Sequence, residues 1–248
     1  MAKLTGKVAV VSGASKGIGA AIAEELANEG ASVIVNYATS SKQAEAVVDK
    51  IKAAGGTAKA VRADVSKPGE AKQLIAAAVS EFGKLDILVN NAGVYEFISL
   101  SDVNEEHFDR IFGLNVKGLL FTTQAAAKAF GNSGGSVVNI SSMASLTAIP
   151  TSSVYSATKA AVDSFTRTLA AELGPKQIRV NSVLPGPVET EGTLAMPQFD
   201  QLSAVFVPQT PLGRIGQPGD IATVVSFLAS DQAGWITGQV IPVAGGLR

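Results

Sequence analysis

Tyr155 and Lys159 stand four residues apart in SVYSATKAAVDSF, a stretch whose pattern predicts a helix, so their side chains share one face. A phenol titrates near pKa ~10 and is a poor acid at neutral pH. A neighbouring ammonium favours the phenolate, so Lys159 is expected to lower the pKa of Tyr155 and tune it for proton transfer. Ser142 lies thirteen residues earlier, at the end of the apolar run VVNIS. Its hydroxyl is placed to hold a carbonyl oxygen while Tyr155 protonates it. That is a general-acid arrangement for reducing C=O, or the reverse for oxidising an alcohol. The bare pair Y-x-x-x-K also describes an exposed helix face, so the reading depends on the rest of the chain. The other two tyrosines, Tyr37 and Tyr95, have Ser41 and Ser99 at that offset and make no such pair.

The elements that must position these groups alternate along the whole 248 residues. KVAVVS (7–12), ASVIVN (31–36), TAKAVR (57–62), LDILVN (85–90), SVVNIS (136–141), IRVNSV (178–183) and QVIPVA (239–244) read as strands, with segments of helical length between them. Nearly continuous apolar strands fit a sheet covered on both faces, and this alternation calls for parallel order. With no Pro/Ser-rich linker and no repeat, the expectation is one doubly wound α/β domain over 1–248. Its ligands would bind at the carboxyl ends of the strands.

The first strand runs into Gly13-Ala14-Ser15-Lys16-Gly17-Ile18-Gly19 and then an amphipathic segment, AAIAEELANEG. Glycines at a strand-to-helix junction let backbone approach a pyrophosphate, which sits on the free N–H groups of the helix. The second strand ends at Asn36, where an NAD binder carries an acid for the ribose 2′-OH. No acid stands there or in Tyr37 to Lys42, whereas Lys16, Ser40, Ser41 and Lys42 offer donors. NADP(H) is the preferred cofactor, with NAD(H) possible. Asp64-Val65 closes the third strand, where a carboxylate either accepts from an adenine amino group or caps a helix. Asn91-Ala92-Gly93 after the fourth strand suits close cofactor approach.

Asn115 is a polar amide inside the long helical stretch 104–130 and needs a partner, a buried water among the candidates. His107, the only histidine, is expected on the solvated surface, where it makes neither a zinc site nor a triad. After Pro185-Gly186-Pro187 comes a long insertion with Val188 and Thr190 at its start. Residues 187–213 are expected to form a lid over the ligand.

Composition removes other classes. Net charge is −1, which offers nothing to nucleic acid or an acidic membrane surface, and with no cysteine there are no disulfides or thiolate metal sites. The opening MAKLTGKVAVVSG lacks the apolar core of a signal peptide and no run reaches the ~18 residues of a membrane span. A cytoplasmic location is the expectation.

Taken in order, SGASKGIG, DV, NNAG, Asn115, Ser142, YSATK and PGPVET resemble the short-chain dehydrogenase/reductase family over nearly the whole chain. Ser12 stands where the family pattern usually has Thr, which retains the hydroxyl. The resemblance implies a Rossmann-type seven-stranded sheet of order 3-2-1-4-5-6-7 and a tetrad of Asn115, Ser142, Tyr155 and Lys159. Tyr155 would be the acid/base, Ser142 would position the carbonyl, and Lys159 would hold the nicotinamide ribose. Asn115 would hold a water relaying protons to Lys159. Asn91, Ala92 and Gly93 would flank the cofactor, Pro185 to Thr190 would surround its nicotinamide end, and Lys16 matches a basic position of NADP-preferring members. Many members are tetramers, and helices 104–130 and 152–173, apolar on more than one face, are expected to associate.

The substrate is expected to be a small carbonyl or alcohol compound. Val94, Tyr95, Phe97, Leu146, Ile149, Met196 and Phe206 would form a largely apolar pocket, suited to a compact hydrophobic or aromatic ketone. A 3-oxoacyl-carrier-protein reductase, a sugar dehydrogenase and a dinucleotide sensor without turnover are the other readings. The first would need a basic cleft mouth for an acidic carrier, which Lys128 and Lys176 supply poorly.

Overall fold

The structure is a computed structural model that describes residues 2–195 and 199–247. Seven strands, β1 (Val8–Val11), β2 (Ser32–Tyr37), β3 (Thr57–Arg62), β4 (Ile87–Asn90), β5 (Gly135–Ile140), β6 (Ile178–Pro185) and β7 (Val240–Val243), form one sheet of order β3-β2-β1-β4-β5-β6-β7. Every neighbouring pair is parallel. The alternating strand-and-helix pattern dictates this, because parallel neighbours need a crossover long enough to hold a helix. Side chains alternate between faces. Ala9 and Val11 of β1 pack under α1 (Gly17–Asn28), α2 (Ser41–Ala53) and α9 (Pro218–Ala229), while Val8 and Val10 face α3 (Pro68–Phe82), α5 (Leu119–Ala129) and α6 (Ser153–Leu173). Burying each such Val or Ile contributes about 1.5–3 kcal/mol.

Strand order reverses between β1 and β4, so the turns after these two strands lie side by side at the carboxyl edge. Ser12 staples them: its Oγ accepts from the N–H groups of Asn91 and Ala92, both at 3.0 Å, and donates to Val89 O. The family's usual Thr would offer the same hydroxyl. Deeper, Asn90 donates to Thr123 Oγ1 and Asn139 Oδ1, and Asn139 donates to Thr166 Oγ1, each at 2.9 Å. This buried ladder ties β4 and β5 to α5 and α6.

The stretch 104–130 is not one regular helix. It breaks into α4 (Glu105–Phe112), a wide π-helical turn (Gly113–Gly118) and α5. Glycines bound the wide turn, and Gly118 packs so close to Val65 O that a Cβ there would lie 3.1 Å away. The π turn carries Asn115, as such insertions frequently do at functional sites. The insertion after β6 holds two short helices, α7 (Glu191–Leu194) and α8 (Phe199–Phe206). Its two ends are joined by a parallel bridge between Val188 and Gly216. Met196 lies outside the described residues.

Candidate active site

The site is assembled from the ends of β4 and β5, the π turn and the first turns of α6. Ser142 follows β5 and opens a short 3-10 turn, its Oγ accepting from Ala144 N at 3.1 Å. That bond fixes the oxygen, and the Ser142 hydroxyl works to lower the pKa of the Tyr155 phenol. Tyr155 and Lys159 lie on α6 as the spacing predicts, with the Lys159 Nζ 5.6 Å from the centre of the Tyr155 ring. Lys159 is buried and donates to Ile140 O at 2.9 Å.

The electrostatics correct one expectation. Burial pushes the Tyr155 phenol above its ordinary value, the Ser142 hydroxyl bond works the other way, and Tyr95 raises it further. The Lys159 ammonium, which donates to Ile140 O and lies 5.6 Å from the ring centre, does not reverse that upward shift. The lysine is the group whose pKa falls: burial brings it down to about 8, with Asp163 opposing the change. At neutral pH the site therefore holds a protonated phenol and a buried ammonium.

Asn115 is 2% exposed and finds its partners in protein. Its Oδ1 accepts from Val94 N, and its Nδ2 donates to Val94 O and to Thr158 Oγ1. Both amide protons are taken, and the side chain clamps the segment after β4. Gly93 passes between, with its missing Cβ position 3.2 Å from Asn115 Oδ1 and 3.7 Å from Lys159 Nζ.

The glycine turn fits a dinucleotide. A Cβ on Gly13 would come 2.8 Å from Ala92 Cα, and one on Gly19 would collide with Asn91 Nδ2 and approach Gly13 O to 2.5 Å. Only glycine lets these backbones meet and leaves the surface above them open. Gly17 N–H, at the start of α1, holds a carboxylate oxygen of Glu191 at 3.0 Å, so the turn already presents a donor to an anion. Ser15 and Ile18 are half-buried in the same turn, Ile18 against the core, and Lys16 is exposed at its tip.

Asn36 departs from its expected role. It is buried, its Oδ1 accepts from Gly13 N at 3.1 Å, and its Nδ2 donates to Val61 O and Ala63 O. The side chain shapes the glycine turn, and its amide is satisfied by protein groups. Tyr37, Ser41 and Lys42 are at the edge, where Ser41 Oγ donates to Tyr37 Oη at 3.3 Å. Across the β2–β3 register Tyr37 pairs with Arg62, an exposed cation that motif reading passed over. Asp64 Oδ1 accepts from Ser66 N and Oγ, the cause of its lowered pKa, so this carboxylate serves the turn before α3; Val65 beside it is buried. Pro185 and Val188 are buried and Gly186 packs against Ala244, while Thr190 caps α7 by accepting from Thr193 N.

His107 is not on the surface. It is 7% exposed, neither ring nitrogen makes a hydrogen bond, and Nε2 lies 3.6 Å from Glu96 Oε2. Glu96 also pairs with Arg110. The cluster tethers the 94–99 segment to α4, and the amphipathic pattern of α4 could have shown that position 107 faces inward with Ile111. The same segment carries Tyr95 and Phe97, whose rings meet each other and Tyr155 with all three centroid separations at 6.3 Å.

A parallel sheet with its glycine turn and Asn-Ala-Gly crossing at the switch point, and a Ser–Tyr–Lys group beside them, defines a dinucleotide-dependent oxidoreductase. The comparisons agree: the chain belongs to the short-chain dehydrogenase/reductase family, whose members use nicotinamide dinucleotides. A family model described as enoyl-(acyl carrier protein) reductase matches residues 13–248. An uncharacterized oxidoreductase of Methylorubrum extorquens is 58% identical over 249 residues, covering 100% of both chains. Versicolorin reductase of Emericella nidulans is 43% identical over 98% of this chain and 96% of its own. A solved short-chain dehydrogenase/reductase from Serratia marcescens superposes with a TM-score of 0.92 at 40% identity, covering 99% of each chain. No helix among the described residues is long and apolar enough to cross a membrane, and no group of His, Asp and Glu there could hold a metal ion.

Proposed function

We propose that the protein is an NADPH-dependent carbonyl reductase, reversible as a secondary alcohol dehydrogenase, whose preferred substrates are aryl ketones. The observation that carries the reading is the placement of Tyr155, one turn before the buried Lys159 on one side and against the aromatic wall of Tyr95 and Phe97 on the other. The bound dinucleotide supplies the hydride. Ser142 holds the carbonyl oxygen, and Tyr155 gives it the proton as negative charge develops there. A phenol kept protonated by burial suits that direction of reaction. Lys159 holds the nicotinamide ribose, Asn115 fixes Val94 and Gly93 against it, and residues 187–213 close over the substrate. Val188 and Thr190 border the nicotinamide end.

Three features support NADP(H) over NAD(H). Lys16 is exposed in the glycine turn, Ser41 and Lys42 stand open at the start of α2, which follows β2, and Arg62 on β3 is paired with Tyr37 at the end of β2. None is an acid that would repel a 2′-phosphate. Three features support an aromatic ketone over an acyl carrier protein. Lys128 and Lys176 precede β5 and β6, at the amino edge of the sheet, opposite the site. The charged side chains nearer the site mouth include Glu96, Glu189 and Glu191. The relative in Emericella is by name a reductase of versicolorin. Association into a tetramer would cover the fully exposed Trp235 and the half-exposed Phe108.

Steady-state NADPH oxidation with an aryl ketone and with a 3-oxoacyl thioester on acyl carrier protein tests the reading. Higher kcat/KM on the ketone is expected. Preference for the carrier-bound thioester would overturn the substrate assignment, and inactivity on both would overturn the enzyme.

A further inference from the structure

Asp163 takes no part in the site as described, yet it lies on α6 one helical turn beyond Lys159 and is 4% exposed. Removing a carboxylate from water to that depth costs several kcal/mol unless partners replace the solvent. From β6 the buried hydroxyl of Ser182 donates to Asp163 Oδ1 at 3.3 Å. One long bond from a neutral hydroxyl leaves most of the charge uncompensated. One turn back on the same helix, where residues four apart are neighbours, stands the buried ammonium of Lys159, which makes no direct ion pair with the carboxylate and donates instead to Ile140 O. The carboxylate acts on it through space, not through a hydrogen bond.

The elements around Lys159 carry little else of consequence. Strand β5 contributes the Ile140 carbonyl, the π turn contributes Asn115, and the segment after β4 contributes Gly93. Among the described residues the ionisable groups facing the ammonium are Tyr155, beside it, and Asp163. We propose that Asp163, anchored by Ser182, is a positioning residue: a buried counter-ion that keeps Lys159 charged at working pH and therefore able to donate to the cofactor ribose. This rests on Lys159 belonging to the site, and it extends the functional group from the Ser–Tyr–Lys face into the packing layer between α6 and β6. Lys159 titrates at about 8 with the carboxylate present. Loss of the nearby opposite charge favours the neutral amine and moves that value further down.

The test uses cofactor-free protein labelled with 13C-lysine, the Lys159 signal being assigned by its loss in Lys159→Met. In Asp163→Asn the Lys159 midpoint should fall below that of the unsubstituted protein, and Asp163→Glu should restore most of it. An unmoved midpoint in folded Asp163→Asn overturns the proposal. Thermal unfolding at pH 7 provides a second arm that survives poor folding of the single variant. Asp163→Asn should lower the midpoint when Lys159 is present and raise it in the Lys159→Met background, where the carboxylate has lost its partner. The same sign in both backgrounds also overturns it. If the titration moves as stated in a protein that reduces no ketone, the counter-ion stands and the oxidoreductase reading is what fails.

Discussion

Lys159 is 6% exposed, whereas Phe97 and Leu146, across the same site, are 47% and 64% exposed. The floor, made by β4, β5, the π turn and α6, holds its polar groups with short, mutually satisfied hydrogen bonds: Asn115 to Val94, Lys159 to Ile140, Asn90 to Asn139. The mouth, made by the 94–99 segment and the 187–213 insertion, presents aromatic and aliphatic side chains and is tethered through Glu96, Arg110 and His107. Protein interiors punish an unmade hydrogen bond, so the floor tolerates one arrangement of residues. An open apolar wall carries no such constraint. The contrast assigns reaction type to the floor and substrate range to the mouth.

The largest effect should follow from removing the acid. Tyr155→Phe keeps the ring packing and loses the proton, so kcat should fall by about 10²- to 10⁴-fold. NADPH binding, measured by fluorescence titration, should stay near normal, and near-normal turnover would take Tyr155 out of the mechanism. Next comes pH. Lys159 is charged below about 8 and loses its proton above it, while the phenol stays protonated well past that point. Ketone reduction should therefore decline above pH 8, approaching tenfold per unit, and the rate should not fall on acidification from 8 towards 6. A profile that rises through this limb would exclude the ammonium as the working form.

A change at the mouth should be smaller and of another kind. Phe97→Ala removes one ring of the aromatic wall, worth about 0.5–1.5 kcal/mol. KM for an aryl ketone should rise roughly 2- to 12-fold, while kcat and the KM of a small aliphatic ketone change little. An equal loss on both ketones would erase the division between floor and mouth. The mildest effect is expected where the insertion meets the floor. Glu191→Gln removes a carboxylate charge that sits on the Gly17 N–H at the start of α1, where an anion of the proposed cofactor would compete with it. Dinucleotide binding should tighten by about 0.3–1 kcal/mol, read by calorimetry; weaker binding would show that Glu191 helps the closed state.

Much of this was legible in the chain. The strand pattern calls for a parallel, doubly wound sheet, since periodicity is a local property, and the observed strand order is the one that the family resemblance implies. The polar residues were harder. That Asn36 clamps Gly13 and Asn115 clamps Val94 could not be read from their positions. His107 looked exposed and is buried against Glu96. In each case the residue's partner comes from a distant part of the chain or from a segment with no regular structure.

By itself, then, the order of residues determined the architecture and brought Tyr155 and Lys159 to one face of one helix, because both depend on repeats of two and of 3.6 residues. Tertiary packing decided the charges. Whether a phenol is made more or less acidic depends on how deeply it is buried and on where the ammonium's hydrogen bond goes. Those follow from the approach of Ile140, Ser142 and Asp163, and no spacing in the sequence encodes the depth at which they meet.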